Sequence, residues 1–436
     1  MDYLRCGMVK IRMKSTFLLM LISGIVYVSA QTPPPLSRPG DVVGKAVIGY
    51  QGWFAAPRDN SVVNGWVHWI KDGLEPRTQP LRPNMVKFDL YPDTREYTKL
   101  YPTNLGPLGN GSPGGLYSNW DQETVHVHFK WMQQYGIDCV ALQRFGLDRS
   151  NTAVAQQRDG VLRKVMVSAQ VYQRKWYIAW DISGWNNQTY DSELLSDLNY
   201  LNQQIQVFNH PLYARQNGKL VLSLWGFGFR DRPGRPADPD KAINLINRLK
   251  QMGFYVIGGC PSAWRFNGQN SLETFQRVYP VFHMLQPWHV GVYNTPANAE
   301  AYKNVLSGDL SVTRARGQDY QPVVFPGFSW ANWHENDARN SIPRLYGRFF
   351  WRQFVNLREL GIQNCMVAMF DEYDEGTAIA KAAEDASMKP TNQWFLSLDA
   401  DGVRVSSDFY LRVYRDGVRM MKGITQLQQN CPTSYF

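Results

Sequence analysis

The sequence lacks the short motifs that mark several large classes of metal- and nucleotide-dependent proteins. Its five cysteines include no Cys-x-x-Cys or Cys-x-x-His pair of the kind that binds zinc. No Gly-x-x-x-x-Gly-Lys-Ser/Thr loop is present, and Gly226 and Gly228 lack the third glycine of a dinucleotide-binding loop. His334 and Glu335 are not followed by the second histidine of a zinc protease helix. We therefore expect no metal and no cofactor.

Long runs of one charge are also missing. Lys and Arg number 46 against 37 Asp and Glu, which gives a formal net charge of +9. The basic residues are scattered, with no run of five or more, whereas nucleic-acid binding needs a basic patch or stripe. We therefore expect no nucleic-acid partner.

Aromatic residues are abundant, with 15 Trp, 23 Tyr and 21 Phe. This content is enough to bury a large core, and it excludes long disorder. The 35 Gly and 25 Pro show no period, which excludes a collagen-like chain. The tryptophans could be core residues or could line a sugar-binding cleft, and composition alone does not decide between the two.

Residues 1–30 have the pattern of a secretory signal peptide. Four basic residues precede a short apolar run at 17–28, and the tripeptide VSA at 28–30 is typical of a cleavage site. The run is shorter than the ~20 residues that span a bilayer, although an uncleaved signal anchor is the alternative. We expect a secreted, monomeric protein without membrane contact after cleavage, and a Pro-rich linker over residues 31–41.

A secreted chain can form disulfides and carry N-linked glycans. Two Asn-x-Ser/Thr sequons begin at Asn110 and Asn187, both in loop-like sequence. Loss of residues 1–30 leaves four cysteines, which could form two disulfides or remain free thiols: Cys139, Cys260, Cys365 and Cys431.

After the linker, strand-like and helix-like segments alternate along the chain. Eight strands are predicted, at 46–54, 137–145, 176–182, 219–225, 254–260, 281–287, 321–328 and 364–370. Helices are predicted at 123–135, 155–173, 192–208, 240–252, 297–307 and 343–360, and the segment between strands five and six has the weakest helical pattern. Eight βα units close into a (β/α)8 TIM barrel, with a doubly wound open sheet as the alternative.

The predicted α/β barrel domain covers residues 42–386. Residues 55–120 are too many for an ordinary loop, so we expect a functional insertion after the first strand. Residues 387–436 are predicted to form a hairpin that turns at Asp401-Gly402 and a final helix, both packed on the barrel.

The strongest candidate site follows the eighth predicted strand, in the sequence FDEYDEGT. Asp371, Glu372, Asp374 and Glu375 would repel each other on an exposed turn, whereas carboxylates at the mouth of a barrel strand are typical of catalysis. Glu372 and Glu375 are three apart, which in a helical turn places their Cβ atoms ~5–6 Å apart on one face. Retaining glycosidases hold two carboxyl groups at a similar spacing, ~5–5.5 Å. A solvated acidic helix terminus is the alternative.

Longer motifs surround this site. FDEYDEGTAIAKA (370–382) is similar to the N-E-W-H-E-G-T-Q-I-E-x-A run of glycoside hydrolase family 99. Residues 117–145 are similar to a second stretch of that family and keep Asp121, His128 and Gly136 at its spacing. Over about residues 47–383 the chain resembles families 99 and 71, the endo-α-mannosidase and α-1,3-glucanase relatives, as a divergent branch.

The resemblance implies a (β/α)8 barrel and retaining hydrolysis of an α-linked glycan. Carried over from the family pattern, Glu372 is the base on the 2-hydroxyl group (or the nucleophile), and Glu375 is the general acid/base. The family's Asn, Trp and His beside these glutamates are Asp371, Tyr373 and Asp374 here, which leaves specificity for mannose open.

Further residues are predicted to bind the glycan, because aromatic faces stack on sugars and polar side chains hold hydroxyl groups. They are Tyr50, Trp53, Asp89, Tyr91, Arg144, Trp180, Asp181, Trp225, Trp330, Asp371 and Tyr373. For each tryptophan, an ordinary core or barrel-rim position is the alternative. Two alternatives for the whole protein are an inactive, lectin-like glycan-binding barrel and a structural protein of a secreted matrix.

Overall fold

The structure is a computed structural model and describes residues 35–74, 77–232, 236–266 and 269–436. The predicted signal peptide (1–30) and the first residues of the predicted linker lie outside these ranges. The described residues pack as one unit. No helix among them is both long and apolar enough to cross a lipid bilayer.

Eight parallel strands form a sheet that closes on itself. They are β1 (Ala46–Tyr50), β2 (Cys139–Phe145), β3 (Lys175–Asp181), β4 (Lys219–Trp225), β5 (Phe254–Pro261), β6 (Met284–Trp288), β7 (Asp319–Tyr320 and Val323–Val324) and β8 (Cys365–Val367). The first half of β7 pairs with β6 and its second half pairs with β8, so β7 joins the two edges of the sheet. The predicted (β/α)8 barrel is confirmed, and an open sheet does not form.

The strands follow from short apolar runs that are buried on both faces. Every residue of β1 and of β5 is buried, as expected for a parallel sheet covered by helices. Two further short pairings are antiparallel. Tyr101–Pro102 pairs with Gly115–Leu116, and Arg215–Gln216 pairs with the start of β4.

The helices lie between the strands, and polar residues begin several of them. They are α1 (Gln122–Gln134), α2 (Thr152–Tyr172), α3 (Tyr190–Tyr200), α4 (Pro239–Gln251), α5 (Pro296–Ala301), α6 (Lys303–Ala315), α7 (Arg348–Glu359) and α8 (Phe409–Met421). The side chain of Asp238 accepts hydrogen bonds from the first turn of α4, directly before Pro239. Between β5 and β6, the described residues form short 3-10 turns at Glu273–Arg277 and Tyr279–Val281 and no α-helix.

The predicted insertion after β1 runs from residue 51 to the start of α1 and packs over the C-terminal ends of the strands. It contributes stacked rings to the interior, including Phe54 on Trp69 at 3.8 Å between ring centroids. The backbone of Leu90 and Tyr91 bonds to Tyr373 and Leu396, which fixes the insertion to the segment after β8. The insertion therefore forms part of the barrel mouth.

The C-terminal segment differs in detail from the predicted hairpin. In residues 391–408, all of which the structure describes, there is a turn at Asp399–Gly402 but no pair of strands. Instead, Leu396 forms a single bridge with Leu90 of the insertion. The final helix, α8, packs against α7, and the Tyr414 hydroxyl donates to the carbonyl of Ala46 at the start of β1. α8 is thus the eighth helix of the ring.

Close packing of α8 on α7 depends on a glycine inside a helix. A Cβ atom at Gly417 would overlap the ring of Phe354 on α7. Glycine costs ~0.5–1 kcal/mol in a helix interior, so its presence here is explained by the short distance between the helices. We expect Gly417→Leu to lower the free energy of unfolding by about 1–3 kcal/mol, as for other overpacked cores.

Urea unfolding of the purified proteins measures this difference. The control is Arg415→Leu, which introduces the same side chain at an exposed position of the same helix. Equal stability of the two variants would contradict the packing argument.

Candidate active site

A cavity of about 380 Å³ opens at the C-terminal ends of the barrel strands. Its carboxylates are Asp72, Asp148, Asp181, Glu372, Asp374 and Glu375. Its aromatic wall is formed by Trp53, His68, Phe145, Trp225, Trp288 and Trp333. The combination of flat apolar surfaces with a few polar groups suits a polar organic ligand that carries ring faces.

Glu372 lies on a tight turn that follows β8, and its carboxylate is held at both oxygens. Gln51 Nε2 donates to Oε1 at 2.7 Å, and Thr377 Oγ1 donates to Oε2 at 2.7 Å. The backbone N–H groups of Thr377 and Ala378 donate to the Glu372 carbonyl, which closes the turn. The residues form a turn rather than the helical turn that the spacing suggested, but Glu372 and Glu375 still line the same cavity.

The position of Glu375 is set through the backbone. The N–H of Ser329 donates to the Glu375 carbonyl at 2.9 Å. The next residue, Gly376, has a φ of 63°, and a Cβ there would lie 3.0 Å from the backbone of Ser329, so this close approach requires glycine. Among the described residues, the Glu375 side chain accepts no hydrogen bond, which leaves it available to a ligand.

A buried arginine, Arg344, donates hydrogen bonds to the backbone of the same turn. One guanidinium nitrogen of Arg344 donates to the carbonyls of Gly376 and Ala378, both at 2.7 Å. The guanidinium also lies 4.6 Å from the ring centroid of Tyr410 on α8. The ring of helices is therefore connected directly to the segment that carries the two glutamates.

Burial raises the pKa of both glutamates. For Glu372 the negative charges of Glu375 and Asp374 add to the effect of burial, while hydrogen bonds from Thr377 and Gln51 oppose it. For Glu375, Arg232 and Lys87 oppose the rise in pKa. Like charges that lie this close cannot both ionise at low cost, so the cluster retains a proton at a pH where isolated carboxyl groups would be ionised.

Asp374 is a third buried carboxyl group in the cavity wall. Its Oδ2 lies 3.0 Å from Nδ1 of His68, and its Oδ1 has no hydrogen-bond partner among the described residues. Burial raises the pKa of Asp374 to about 7, with Lys87 opposing and Glu375 assisting the rise. The His68 ring stacks on Trp53 at 3.6 Å between centroids and 6° between planes.

Asp371 does not face the cavity but bonds the turn to the residues directly after β1. Its two oxygens accept the backbone N–H groups of Gln51 and Gly52, at 2.7 and 2.9 Å. Burial raises the pKa of Asp371 to about 7, against the effect of these N–H donors. The arrangement places Gln51 next to Glu372.

Five of the residues that the sequence predicted lie together in the cavity wall: Trp53, Asp181, Trp225, Glu372 and Glu375. Asp181 ends β3, where its Oδ1 accepts from the backbone and side chain of Ser183. Burial raises the pKa of Asp181 to about 6, while the hydrogen bonds from Ser183 and the charge of Arg232 oppose the rise. These five residues end or follow β1, β3, β4 and β8, so only closure of the barrel brings them together.

Arg144 and Trp180 lie on the outer side of their strands, away from the cavity. Side chains alternate along a strand, and it is the neighbours Gln143, Phe145, Ala179 and Asp181 that line the cavity. The guanidinium of Arg144 donates to Asp159 and Asp197, and the Trp180 indole also donates to Asp197. Arg144 and Trp180 thus connect the barrel to α2 and α3. The prediction that they line the glycan site is corrected: the residues next to them in each strand line the cavity.

Three predicted tyrosines are buried behind the cavity wall. Tyr50 is bonded to His128 of α1 and accepts from Asn119. Tyr91 donates to the carbonyl of Gly115, and Tyr373 donates to that of Lys381. The hydroxyl groups of all three tyrosines are therefore hydrogen-bonded within the protein.

Asp89 and Trp330 are also outside the cavity wall. Asp89 accepts from Ser329 Oγ, Ala331 N and Asn332 N, and so fixes the loop after β7. Trp330 contacts Phe328 and His334, while Trp333 of the same loop lines the cavity. With Asp371, these residues support the site without facing it.

Several cavity residues were not predicted. Gln143, Ser223 and Gln286 are polar residues within otherwise apolar strands. A polar residue in such a strand is an exception to the apolar pattern, and this signal could have identified all three. Lys87 and Asp72 come from the insertion, where no periodic pattern marks them. Lys87 Nζ pairs with Asp72 at 3.0 Å and lies 3.7 Å from the ring centroid of Trp333.

The remaining sequence features have the following positions. Asn110 is exposed and Asn187 is half-buried, and the glycosylation of both stays a prediction. The four cysteines are free thiols rather than disulfides, and Cys139, Cys260 and Cys365 are buried. Within the described ranges, no group of three or more His, Cys, Asp or Glu side chains is arranged to hold a metal ion.

Neither a protein-family model nor a curated protein matches this sequence. The fold is similar to that of a GH99 endo-alpha-mannosidase from Bacteroides thetaiotaomicron, with a TM-score of 0.60 and 15% identity over 88% of this chain and 98% of the other. That mannosidase in complex with BIS-TRIS-propane gives a TM-score of 0.59, with the same identity and coverage. A glycoside hydrolase-like protein gives 0.52, with 13% identity over 89% and 97% of the two chains. At these identities the likeness establishes the fold, and it confirms the resemblance to family 99 at that level.

The burial of Asp371 predicts how stability depends on pH. Its folded-state pKa of about 7 is above the ~3.9 of a free aspartate. Its contribution to stability is therefore present at low pH and is lost as the pH rises from about 4 to about 7. The asparagine of Asp371→Asn cannot ionise, so the variant does not lose this contribution. As the pH rises over this range, the free energy of unfolding of the wild type should fall relative to that of the variant by up to ~1.4 kcal/mol per pH unit.

Urea unfolding at several pH values between 4 and 7 measures this change. The control is Asp337→Asn, which removes an exposed carboxylate. A difference between wild type and Asp371→Asn that stays constant with pH would contradict a buried, proton-retaining Asp371.

Proposed function

We propose that this protein is a retaining glycoside hydrolase that cleaves an α-linked glycan. The observation that carries the proposal is the placement of Glu372 and Glu375 on one turn after β8, both facing the same aromatic-walled cavity. Burial raises the pKa of each, and the negative charge of Glu375 adds to the rise for Glu372. Carboxyl groups with raised pKa values can serve as acids and bases near neutral pH. The fold shared with a GH99 endo-alpha-mannosidase supports the same reaction class.

The cavity wall supports a sugar as the ligand. Trp53, Trp225, Trp288 and Trp333 present flat apolar surfaces, on which the C–H faces of pyranose rings can stack. Between them, Gln143, Ser223, Gln286 and Asp181 supply hydrogen-bond groups that suit hydroxyls.

The surroundings of the two glutamates suggest different roles. Gln51 Nε2 can only donate a hydrogen bond, so Oε1 of Glu372 must accept it. In its carboxylate form, Glu372 can accept from both Gln51 and Thr377. A raised pKa makes Glu372 a stronger base toward a hydroxyl proton. Glu375 accepts no hydrogen bond from the described residues, so it is free to exchange a proton with the substrate.

In the first step, Glu375 donates its proton to the glycosidic oxygen as the bond from C1 to that oxygen breaks. Glu372 removes the proton of the 2-hydroxyl group, and O2 bonds to C1 to give an anhydro sugar. Alternatively, the carboxylate of Glu372 bonds to C1 directly. In both routes the leaving sugar departs with the proton of Glu375, and one carboxylate of the pair remains to act as a base.

In the second step, Glu375 removes a proton from water, and the water oxygen bonds to C1. The bond from C1 to O2 breaks as O2 recovers its proton from Glu372, or the bond from C1 to Glu372 breaks in the direct route. Two displacements at C1 retain the anomeric configuration. Both glutamates return to their starting protonation states.

We also propose that the protein is secreted and acts as a monomer. The signal-like segment at 1–30 and the sequons at Asn110 and Asn187 support secretion. Expression of the full chain in a eukaryotic host, followed by detection in the medium before and after glycosidase treatment, tests this point.

Digestion of a glycan library tests the reaction, with the anomer of the first product determined by NMR. We expect cleavage of at least one α-linked glycan and a product of retained configuration. An inverted product would contradict the two-step mechanism. Binding of glycans without any cleavage would instead favour the alternative of an inactive, lectin-like barrel.

Each glutamate is expected to be essential. Glu372→Gln and Glu375→Gln keep the shape of the side chain but remove proton transfer, which should lower kcat at least ~10²-fold. Circular dichroism should show an unchanged fold. The control is Asp337→Asn, which changes an exposed carboxylate outside the cavity wall and should keep most of the activity. Full activity of either glutamine variant would refute the assignment.

A further inference from the structure

The turn that carries the two glutamates places a further buried carboxyl group, that of Asp374, in the cavity wall, and the proposed reaction does not use it. Glu372 and Glu375 account for the proton transfers, and Asp374 lies between them in sequence with its side chain only 2% exposed. Burying a carboxyl group is costly unless it is paired. Asp374 therefore needs a role of its own, and its one hydrogen-bond partner among the described residues is His68.

His68 is held in a defined orientation by two contacts. Asp374 Oδ2 engages its Nδ1 at 3.0 Å, and its ring lies flat on Trp53, 3.6 Å away between centroids. The remaining ring edge carries Nε2, for which the described residues provide no hydrogen-bond partner. His68 lines the cavity and its side chain is 19% exposed, so this edge is accessible to a ligand.

The backbone at His68 is also unusual. Its φ is 60°, in the left-handed region that only a few per cent of non-glycine residues adopt, although Asn, Asp and His do so more often than the others. Such a conformation costs of order 1–3 kcal/mol and persists where the surrounding structure enforces it, commonly in binding sites. Here it belongs to the insertion after β1, and it brings an imidazole over the turn that carries both glutamates.

The chemistry of His68 indicates a neutral partner. Burial and the nearby positive charges of Lys87, Arg158 and Arg77 lower its pKa well below the usual value, so the imidazole is neutral near pH 7. A neutral imidazole donates at one nitrogen and accepts at the other, and the hydrogen bond at Nδ1 fixes the state of Nε2. A hydroxyl group can donate or accept, and therefore fits either state.

We propose that His68, oriented by Asp374 and Trp53, recognises one hydroxyl group of the bound sugar through Nε2 and thereby determines which sugar the cavity accepts. This inference rests on the proposed glycosidase function and names a specificity residue of the same site. Asp374 is a positioning residue, since it acts through His68. A site built to bond a hydroxyl discriminates strongly against analogues that lack it, because its own polar group is then left unpaired.

Binding of monosaccharides with single hydroxyl deletions tests the proposal. The probes are the methyl α-glycosides of mannose, glucose and galactose and their 3-, 4- and 6-deoxy derivatives. Dissociation constants are measured by ligand-observed NMR on the wild type, on His68→Phe, which keeps a ring on Trp53 but has no nitrogen, and on Asp374→Asn. For the parent sugar that binds best, we expect one deletion to weaken wild-type binding tenfold or more.

In His68→Phe, the penalty for that deletion should fall below twofold, while the penalties at the other positions stay as in the wild type. Asp374→Asn should give a reduced penalty at the same position, and it replaces His68→Phe if the latter does not fold. The control is Asp337→Asn, which removes an exposed carboxylate outside the cavity wall and should keep all wild-type penalties. A merely structural effect would weaken every sugar equally and leave the ratios unchanged.

Two outcomes overturn the proposal in distinguishable ways. Wild-type penalties at every position in both His68→Phe and Asp374→Asn would refute the role of His68 while leaving the glycosidase proposal intact. Failure of the wild type to bind any of the three parent sugars, together with no cleavage of the glycan library, would refute both proposals.

Discussion

Four carboxyl groups lie within five consecutive residues, and this is the constraint on which the rest of the site depends. Asp371, Glu372 and Asp374 are buried, and Glu375 is half-buried. Carboxylates taken out of water are destabilising unless each is paired or keeps its proton. Each of the four has a different solution. Asp371 accepts the backbone N–H groups of Gln51 and Gly52, directly after β1. Glu372 accepts from Gln51 and Thr377, and Asp374 pairs with His68. Glu375 faces the cavity, and none of the described residues donates to its side chain.

These solutions also explain the architecture around the barrel mouth. The turn after β8 is bonded through Asp371 to the residues directly after β1, and through Ser329 to the loop after β7. Arg344 connects the turn to Tyr410 of α8. The insertion adds His68 and Lys87 to the wall. Because every attachment comes from a different part of the chain, the two glutamates are held rigidly in spite of their mutual repulsion, as general acid–base chemistry requires.

Part of the site could be read from the sequence because its signals are local. The FDEYDEGT segment directly after an apolar run predicted the glutamates, and Trp53, Asp181 and Trp225 were predicted because each follows or ends a strand. The error at Arg144 and Trp180 has a simple physical cause. Neighbouring strand residues point to opposite faces, and a shift of one residue exchanges the cavity side for the helix side.

By itself, the sequence determined the alternation of strands and helices, the barrel, and the turn that carries Glu372 and Glu375, because these depend on periodicity and on short motifs. Only the tertiary structure decided which polar residues face the cavity and what holds them. His68 and Asp374 are 306 residues apart in the chain, and no local pattern specifies such a contact. It forms because the insertion folds back over the barrel mouth, where a buried carboxyl group requires a partner.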